Sequence, residues 1–241
     1  REQGQPAEQG GRRLMRPNGI IIAIDGPAGV GKSTVGKLVA GRLGYSFIST
    51  GKMYRALAWK ALEKGISLED DGKLVALAGS VKWEFPKGSG PEADVSLDGR
   101  RLDLELSRER VSKASSGIAK LAGVRLFMRG MQREAGLAGG VVMEGRDIGT
   151  NVFPDAELKV YLDASPEARA RRRSGQLKAQ GLGADYDEIL DFIIKRDAQD
   201  SGRKNNPLKK AEDAHYLDST AMQREKVVDA IVALFKTAHS G

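Results

Sequence analysis

The chain has 241 residues, no Cys, only two His and a formal net charge of +7. This composition excludes disulfides, thiolate nucleophiles, iron–sulfur clusters and Cys-ligated zinc, and two histidines leave little material for a catalytic triad or a His-rich metal site. The length suits one large α/β domain, or a main domain with smaller appendages. No apolar run is long enough to cross a bilayer, so we expect no membrane partner.

The positive charge is concentrated in two segments. Residues 1–18 carry a net +2 and residues 165–180 a net +4, which leaves +1 for the rest of the chain. Aromatic residues make up only 5% of the sequence, too few for the stacking platform that single-stranded nucleic acid requires. We therefore expect a small polyanionic substrate and no nucleic-acid partner.

Residues 1–18 are rich in Gly, Gln, Pro and Arg without a period, which predicts a disordered leader. From Gly19 onward, apolar runs alternate with apolar residues at helical spacing. They predict strands at 20–25, 45–49, 140–145, 157–164 and 216–219, and helices at 33–43, 51–65, 107–121, 124–136, 165–180, 185–201 and 222–237. A further short helix is expected after Ser67, with this residue as its N-cap. The alternation predicts an α/β fold with three layers, α/β/α, and a doubly wound, mostly parallel sheet.

Residues 81–106 break this alternation. Short apolar runs at 81–85, 93–97 and 100–106 flank a Gly/Pro-rich loop and the dipeptide Asp98-Gly99, which is a strong signal for a two-residue hairpin turn. We therefore expect a small antiparallel β insert within the α/β domain.

Residues 26–33 read Gly-Pro-Ala-Gly-Val-Gly-Lys-Ser and match the pattern G-x-x-x-x-G-K-[ST]. They lie between a predicted strand and a predicted helix, which is the context that a phosphate-binding P-loop needs. In such a loop the backbone N–H groups converge on phosphate oxygens at a helix N-terminus, the Lys supplies a point charge and the Ser binds Mg²⁺. The alternative is a glycine-rich turn without chemical consequence. The predicted ATP-binding residues of this segment are Gly26, Pro27, Ala28, Gly29, Val30, Gly31, Lys32, Ser33 and Thr34.

A P-loop indicates that a nucleoside triphosphate binds, but it does not indicate which reaction the triphosphate undergoes. The sequence lacks the Asp-x-x-Gly and Asn-Lys-x-Asp elements that a GTPase switch requires, and it is short for a motor or transporter ATPase. These observations favour a small kinase, in which a second substrate is held opposite the P-loop.

The positions of several arginines agree with a kinase, because phosphoryl transfer between two anions requires fixed cations around both. Arg146 and Asp147 follow a predicted strand and therefore emerge at its carboxyl end, where open α/β sheets bind ligands. Arg55 lies on the first turn of the helix after the second strand. Three arginines share one face of the predicted helix 165–180: Arg169, Arg172 and Arg173. Each arginine taken alone also fits a solvated surface charge.

From residue 19 to the C-terminus the chain resembles the bacterial cytidylate kinase family, a branch of the nucleoside monophosphate kinases. The resemblance is carried by IDGPAGVGKST, STGKMYR, EGRDIGTNVFPDAELKVYLDAS, SSGIAKLAGVR and the spaced set Arg196-Asp197-x-x-Asp200-x-x-Arg203. It implies a P-loop NTPase-type fold with three parts. These are a core (19–50, 107–164 and 202–241), a monophosphate-binding region with the β insert (51–106) and a helical lid (165–185).

The same resemblance implies a reaction and a set of partners. The reaction is transfer of a phosphoryl group from ATP with Mg²⁺ to CMP or dCMP, giving CDP or dCDP in pyrimidine nucleotide metabolism. The implied enzyme is a cytoplasmic monomer whose partners are these small nucleotides.

Residue roles follow from the resemblance position by position. The implied CMP-binding residues are Thr50, Arg55, Arg146 and Arg203 for the phosphate, Ser116, Arg125 and Asp147 for the cytosine edge, and Arg196 and Asp200 for the ribose. The implied catalytic residues are Lys32, Arg146 and Arg173, with Arg169 and Arg172 on ATP, and Ser33 and Glu144 on Mg²⁺ directly or through water. A carboxylate that accepts from the cytosine amine and an Arg that donates to its carbonyl would discriminate against uracil. Structural alternatives are a helix-surface pair for Ser116 and Arg125, an ion pair between Arg196 and Asp200, and a satisfied acid at the edge of the core for Glu144.

The sequence departs from the family pattern at three positions. Ser49 stands where many relatives have Asp, Lys52 replaces a small residue, and Glu144 holds a position that is usually Asp. Lys52 bears on the geometry of the acceptor site rather than on the reaction class. Two other functions remain open from sequence: a P-loop kinase of the same fold acting on UMP, AMP or a metabolite, and a non-catalytic module that binds nucleotides or nucleic acid through the helix 165–180.

Overall fold

The computed structural model describes residues 16–85, 95–102, 104–179, 181 and 183–239. Five parallel strands form the main sheet in the order β2-β6-β1-β7-β8. These strands are β1 (Ile21–Asp25), β2 (Ser46–Ser49), β6 (Val141–Gly145), β7 (Leu158–Asp163) and β8 (His215–Asp218). A smaller antiparallel sheet contains β3 (Trp83–Glu84), β4 (Ser96–Leu97) and β5 (Arg100–Arg101). The predicted α/β fold with a mostly parallel sheet is confirmed.

Nine α-helices surround the sheets in the described residues. They are α1 (Lys32–Leu43), α2 (Thr50–Glu63), α3 (Asp71–Ser80), α4 (Leu104–Ser107), α5 (Glu109–Ile118), α6 (Ala122–Gly136), α7 (Pro166–Ala179), α8 (Tyr186–Ser201) and α9 (Arg224–His239). No helix within these ranges is long and apolar enough to span a membrane.

Alternation along β1 creates two hydrophobic cores, one on each face of the sheet. Ile21 and Ala23 pack on one face with α2, α5 and α6, whereas Ile22 and Ile24 pack on the other with α1 and α9. All four side chains have no exposed surface. Because β1 is buried on both faces, its sequence is a continuous apolar run rather than an alternating one. The central strand, which leads into the loop 26–33, is therefore enclosed by packed side chains on both faces.

The predicted hairpin at Asp98-Gly99 is present. Both residues have positive φ, 51° and 75°, as a two-residue turn between β4 and β5 requires. The prediction that the last strand of the insert continues to residue 106 is wrong, because β5 ends at Arg101 and the helix α4 begins at Leu104. The Gly/Pro-rich part of the insert, residues 86–94, lies outside the described residues.

Two helix predictions also need correction. The helix after Ser67 begins at Asp71 instead, because Asp70 is its N-cap and accepts a hydrogen bond from Lys73 N at 2.9 Å. Ser67 only accepts from Glu69 N, within the preceding turn. The single helix expected at 107–121 is two helices, since Arg108 has extended backbone angles and separates α4 from α5.

Part of the expected disordered leader is ordered. The Arg16 side chain forms ion pairs with Asp155 at 2.7 Å and Glu157 at 2.9 Å, and Asn18 N donates to the Ala138 carbonyl at 2.9 Å. These contacts tie residues 16–18 to the edge of the core. The expectation for residues 1–15 lies outside the described residues.

Candidate functional site

The loop 26–33 joins the carboxyl end of β1 to α1 at the centre of the sheet. Its glycines at 26, 29 and 31 have positive φ values of 152°, 75° and 101°. A side chain at position 26 would also place its Cβ 2.0 Å from the carbonyl oxygen of Leu162. Glycine is therefore required here, and Gly31 leads directly into the N-terminus of α1, where backbone N–H groups favour an anion.

Lys32 lies inside this loop and is 4% exposed. Its ammonium group donates to the carbonyl oxygens of Gly26 at 2.8 Å and Pro27 at 2.7 Å. The pKa of Lys32 is lowered to about 7, chiefly by burial and next by the nearby Arg146 guanidinium, while Glu144 opposes the shift. The ammonium group is thus held in the loop that is predicted to bind phosphates.

Glu144, at the end of β6, accepts hydrogen bonds from hydroxyl groups of three other elements, α1, β2 and α2. Its Oε1 accepts from Ser33 Oγ at 2.7 Å and from Ser49 Oγ at 2.6 Å, and its backbone carbonyl accepts from Thr50 Oγ1 at 2.8 Å. The carboxylate is 5% exposed. Two of the departures noted in the sequence therefore meet, because the longer Glu144 reaches the serine that stands at position 49.

The Ser33 and Glu144 oxygens fit the hard ligands that Mg²⁺ prefers. The described residues contain no group of three or more His, Cys, Asp or Glu arranged to hold a metal ion by themselves. Mg²⁺ in nucleotide-transferring sites usually takes few protein ligands and keeps waters and substrate phosphates. The pair Ser33 and Glu144 suits that type of site.

Asp200 forms ion pairs with two of the arginines that are predicted to bind phosphate. Arg146 Nε lies 2.7 Å from Asp200 Oδ2, and Arg203 forms an ion pair with Oδ1 of the same carboxylate. Burial alone would raise the pKa of Asp200, but the guanidinium groups of Arg146 and Arg203 hold it below its usual value. The ion pair considered from sequence, Arg196 with Asp200, is thus replaced by pairs with Arg146 and Arg203.

Arg55 and Arg196 complete this cluster of positive charge. Burial lowers the pKa of Arg55, and the charges of Arg146 and Arg173 add to the effect. Burial also lowers the pKa of Arg196 to about 10, with Arg146 as the next contribution. Arg196 Nη1 donates to Ser112 Oγ at 3.2 Å, across to α5. The mutual repulsion indicates that these guanidinium groups share one region, as a site for anionic groups requires.

The residues predicted to read cytosine lie at the same edge. Arg125 on α6 and Asp147 after β6 form a buried ion pair at 2.5 Å, and Asn151 Nδ2 donates to Asp147 Oδ2 at 2.9 Å. Ser116 Oγ donates to the Ser112 carbonyl at 3.2 Å. Arg125 and Asp147 therefore constrain each other, and the helix-surface interpretation of Arg125 is wrong because the side chain is 7% exposed.

The three arginines of α7 have different surroundings. Arg169 is buried and donates to the carbonyl oxygens of Ala164 and Ala28 and to Asp197. Arg172 donates to the carbonyl oxygens of Ser219 and Thr220, after β8. Arg173 is exposed. The shared face expected from spacing is therefore divided between buried structural contacts and solvent.

The sequence assigned no role to the buried Asp25 or to the partly buried Tyr54 in this region. The Asp25 carboxylate accepts from Ile148 N at 2.8 Å and Gly149 N at 2.7 Å, where the chain after Asp147 forms a π-helical turn (Ile148–Val152). Burial raises the pKa of Asp25 to about 6. Burial also raises the pKa of Tyr54 to about 12, with Arg125 and Asp147 close enough to influence it. The position of Tyr54 within the STGKMYR segment could have indicated that it lies at the site. Asp25 only ends an apolar strand, and this gave no such indication.

A parallel sheet with a glycine-rich loop after its central strand and an arginine cluster around Asp200 is typical of a kinase of the P-loop class. Comparisons with known proteins narrow this class. A family model described as Cytidylate kinase matches residues 22–237. The chain belongs to the cytidylate kinase family.

Individual members of the family are similar to this chain over nearly their whole length. A cytidylate kinase from Pelotomaculum thermopropionicum is 47% identical over 212 residues, which cover 88% of this chain and 94% of the relative. One from Geobacter sp. strain M21 is 44% identical over 216 residues, covering 90% and 92%. One from Bacillus pumilus strain SAFR-032 is 45% identical over 213 residues, covering 88% and 94%.

Proposed function

We propose that this chain transfers the γ-phosphoryl group of ATP to CMP and dCMP, forming CDP and dCDP, and that it serves pyrimidine nucleotide metabolism in the cytoplasm. The observation that carries the proposal is the position of the buried Arg125–Asp147 pair beside the arginine cluster around Asp200. The pair offers a carboxylate oxygen and guanidinium donors to a base, and the cluster offers positive charge to the phosphate on the same nucleotide. Family membership gives independent support.

The donor half of the reaction uses the loop 26–33. Backbone N–H groups and the Lys32 ammonium bind the triphosphate, which places the γ-phosphorus at the carboxyl edge of the sheet. Ser33 and Glu144 would hold Mg²⁺, which when bound neutralises charge on the β- and γ-phosphates. Arg169 and Arg172 support the same half from α7 and Arg173 adds a positive charge there.

The acceptor half uses Thr50, Arg55, Arg146 and Arg203 for the phosphate, Ser116, Arg125 and Asp147 for the base, and Arg196 and Asp200 for the ribose. An oxygen of the CMP phosphate forms a new bond to the γ-phosphorus, while the bond from that phosphorus to the bridging β-oxygen breaks in line. ADP leaves with the electron pair of that oxygen. The protein forms no covalent intermediate, so its contribution is to position both anions and to stabilise the spread negative charge.

We also propose that one chain is sufficient, since every residue named for the two halves belongs to the same polypeptide. The region 165–185 is proposed as a lid and the region 51–106 as the monophosphate-binding part. Closure of both would exclude water from the transferred group.

A coupled assay of ADP release tests the proposal. The protein is supplied with ATP and Mg²⁺ and, in turn, CMP, dCMP, UMP, AMP and shikimate at one concentration. We expect CMP and dCMP to be turned over fastest. A higher kcat/KM for AMP or shikimate would assign the site to another acceptor, and salt-sensitive binding of oligonucleotides without ADP release would favour a binding module.

A further inference from the structure

The guanidinium group of Arg169 joins three separate elements. Its Nε donates to the Ala164 carbonyl at 2.9 Å, Nη1 donates to the Ala28 carbonyl at 2.9 Å, and Nη2 lies 2.6 Å from Asp197 Oδ2. The residue is 2% exposed and belongs to the first turn of α7. A planar guanidinium with several fixed donors suits such a three-way contact, which a Lys ammonium on a flexible stem reproduces poorly.

One of these contacts is to the phosphate-binding loop itself. Ala28 and Gly29 lie at the outer part of the loop 26–33, and a Cβ at Gly29 would be 3.9 Å from the Arg169 Cβ. Arg169 therefore packs against the loop and holds one of its carbonyl oxygens. All three of its guanidinium nitrogens donate to protein groups, which gives Arg169 a positional role in addition to its charge.

The Asp197 end of this contact lies on α8. Asp197 is three residues before Asp200, which holds Arg146 and Arg203. It follows directly after Arg196, whose side chain reaches Ser112 on α5. One helix is thus linked to the loop 26–33 through the Asp197–Arg169 pair, and it contacts the predicted acceptor cluster through Asp200. Among the described residues no hydrogen-bond partner reaches the buried Asp197 Oδ1, so Oδ2 carries the contact.

We propose that Asp197 is a positioning residue that, through Arg169, fixes the loop 26–33 relative to the acceptor-binding face of α8. The acceptor half of this inference rests on the proposed function, whereas the donor half concerns only the binding of ATP. If the pair is broken, Arg169 is left with an unpaired buried charge and moves toward solvent or another anion. The Ala28 carbonyl is then released, and the loop loses the orientation that both halves of the site require.

The test compares two Asp-to-Asn variants on the same helix. Asp197→Asn removes the charge that pairs with Arg169. Asp191→Asn removes an exposed ion pair with Lys195, formed at 2.6 Å on the outer side of α8, and serves as the matched control. The affinity of each full-length protein for a non-hydrolysable ATP analogue with Mg²⁺ is measured by calorimetry well below the thermal midpoints of both variants.

We expect Asp197→Asn to weaken binding of the analogue about tenfold, because removing one partner of a buried charge pair leaves the other uncompensated. The KM for ATP rises more than the KM for CMP, and kcat falls. Asp197→Glu restores a large part of the analogue affinity and of kcat, which a loss of stability alone would not explain. If Asp197→Asn fails to fold, Arg169→Lys replaces it, with the same expected loss of affinity.

Equal affinity of the Asp197→Asn and Asp191→Asn proteins for the analogue overturns the inference, as does unchanged affinity in a folded Arg169→Lys protein. If the wild-type protein does not phosphorylate CMP but Asp197→Asn still weakens binding of the analogue, the proposed function is refuted and the positioning role stands. If Asp197→Asn phosphorylates CMP normally and binds the analogue as wild type does, the positioning role is refuted and the proposed function stands.

Discussion

Ser33 and Glu144 lie 111 positions apart in the chain, yet Ser33 Oγ donates a hydrogen bond to Glu144 Oε1 at 2.7 Å. The contact joins the start of α1 to the end of β6, the strand that pairs with β1 beside the loop leading into α1. Under the proposed function, the Ser33 hydroxyl and the buried Glu144 carboxylate would supply two oxygen ligands of the hard type that Mg²⁺ prefers.

Replacement of Glu144 by Gln tests this pair. The amide keeps a hydrogen-bond acceptor for Ser33 but removes the negative charge, so we expect a rise of about 10- to 100-fold in the Mg²⁺ concentration that gives half-maximal activity. Glu134→Gln, at an exposed position on α6, is the control. A Mg²⁺ titration that coincides for Glu144→Gln and wild type would remove Glu144 from the metal site.

Loss of the Lys32 ammonium has a different expected effect. The side chain is buried in the loop and donates to two of its carbonyl oxygens. Lys32→Ala removes a fixed positive charge from the γ-phosphate position, and we expect kcat to fall by about 10²- to 10³-fold with little change in circular dichroism. Lys226→Ala, exposed on α9, should behave as wild type. Near-normal turnover by Lys32→Ala would refute the phosphoryl-transfer mechanism.

Arg125→Met is expected to impair the choice of CMP over UMP. Loss of a base-reading side chain typically costs about 1–3 kcal/mol of discrimination. Because Arg125 pairs with buried Asp147, the single variant also leaves a carboxylate uncompensated, which costs about 3–5 kcal/mol of stability. The double variant Arg125→Met/Asp147→Asn should recover part of that stability but not the preference. The ratio of kcat/KM values for CMP and UMP decides, and an unchanged ratio would place the base elsewhere.

Asp25 predicts a pH dependence of stability. Burial raises its pKa from 3.8 to about 6. As pH rises between these values the unfolded chain loses this proton first, so the folded state binds more protons and the free energy of unfolding falls, by about 3 kcal/mol in total. Asp25→Asn removes this contribution. Urea unfolding at pH 4 and pH 7 should therefore show wild type losing about 2 kcal/mol relative to the variant, because part of the loss has already occurred at pH 4. A constant difference between the two proteins would contradict the buried-acid interpretation.

The sequence was sufficient for features that depend on local chemistry. Asp98-Gly99 predicted its hairpin because few residues adopt the backbone angles of such a turn. The continuous apolar run of β1 predicted a buried parallel strand, and the motif at 26–33 predicted a glycine-rich loop between that strand and a helix. The N-cap at Ser67 was wrong because Asp70 offers a stronger acceptor three residues later.

Features that depend on long-range packing were not predictable in the same way. Helical spacing placed Arg169 with its neighbours on one face, but only the packing of α7 against α8 reveals that Asp197 and the Ala28 carbonyl receive its donors. Likewise, no local signal connects Asp25 with the amides of Ile148 and Gly149, more than 120 positions away. Such contacts arise from the order of the strands, which the sequence pattern does not specify.

The most direct test of the account follows the transferred group itself. The protein is incubated with ATP labelled in the γ-phosphate, Mg²⁺ and CMP, and the labelled products are separated by chromatography. We predict that the label appears in CDP, at a rate that the Lys32→Ala variant lowers by at least about two orders of magnitude. Label that remains in ATP, or that appears only as inorganic phosphate, would contradict the assignment of CMP as acceptor.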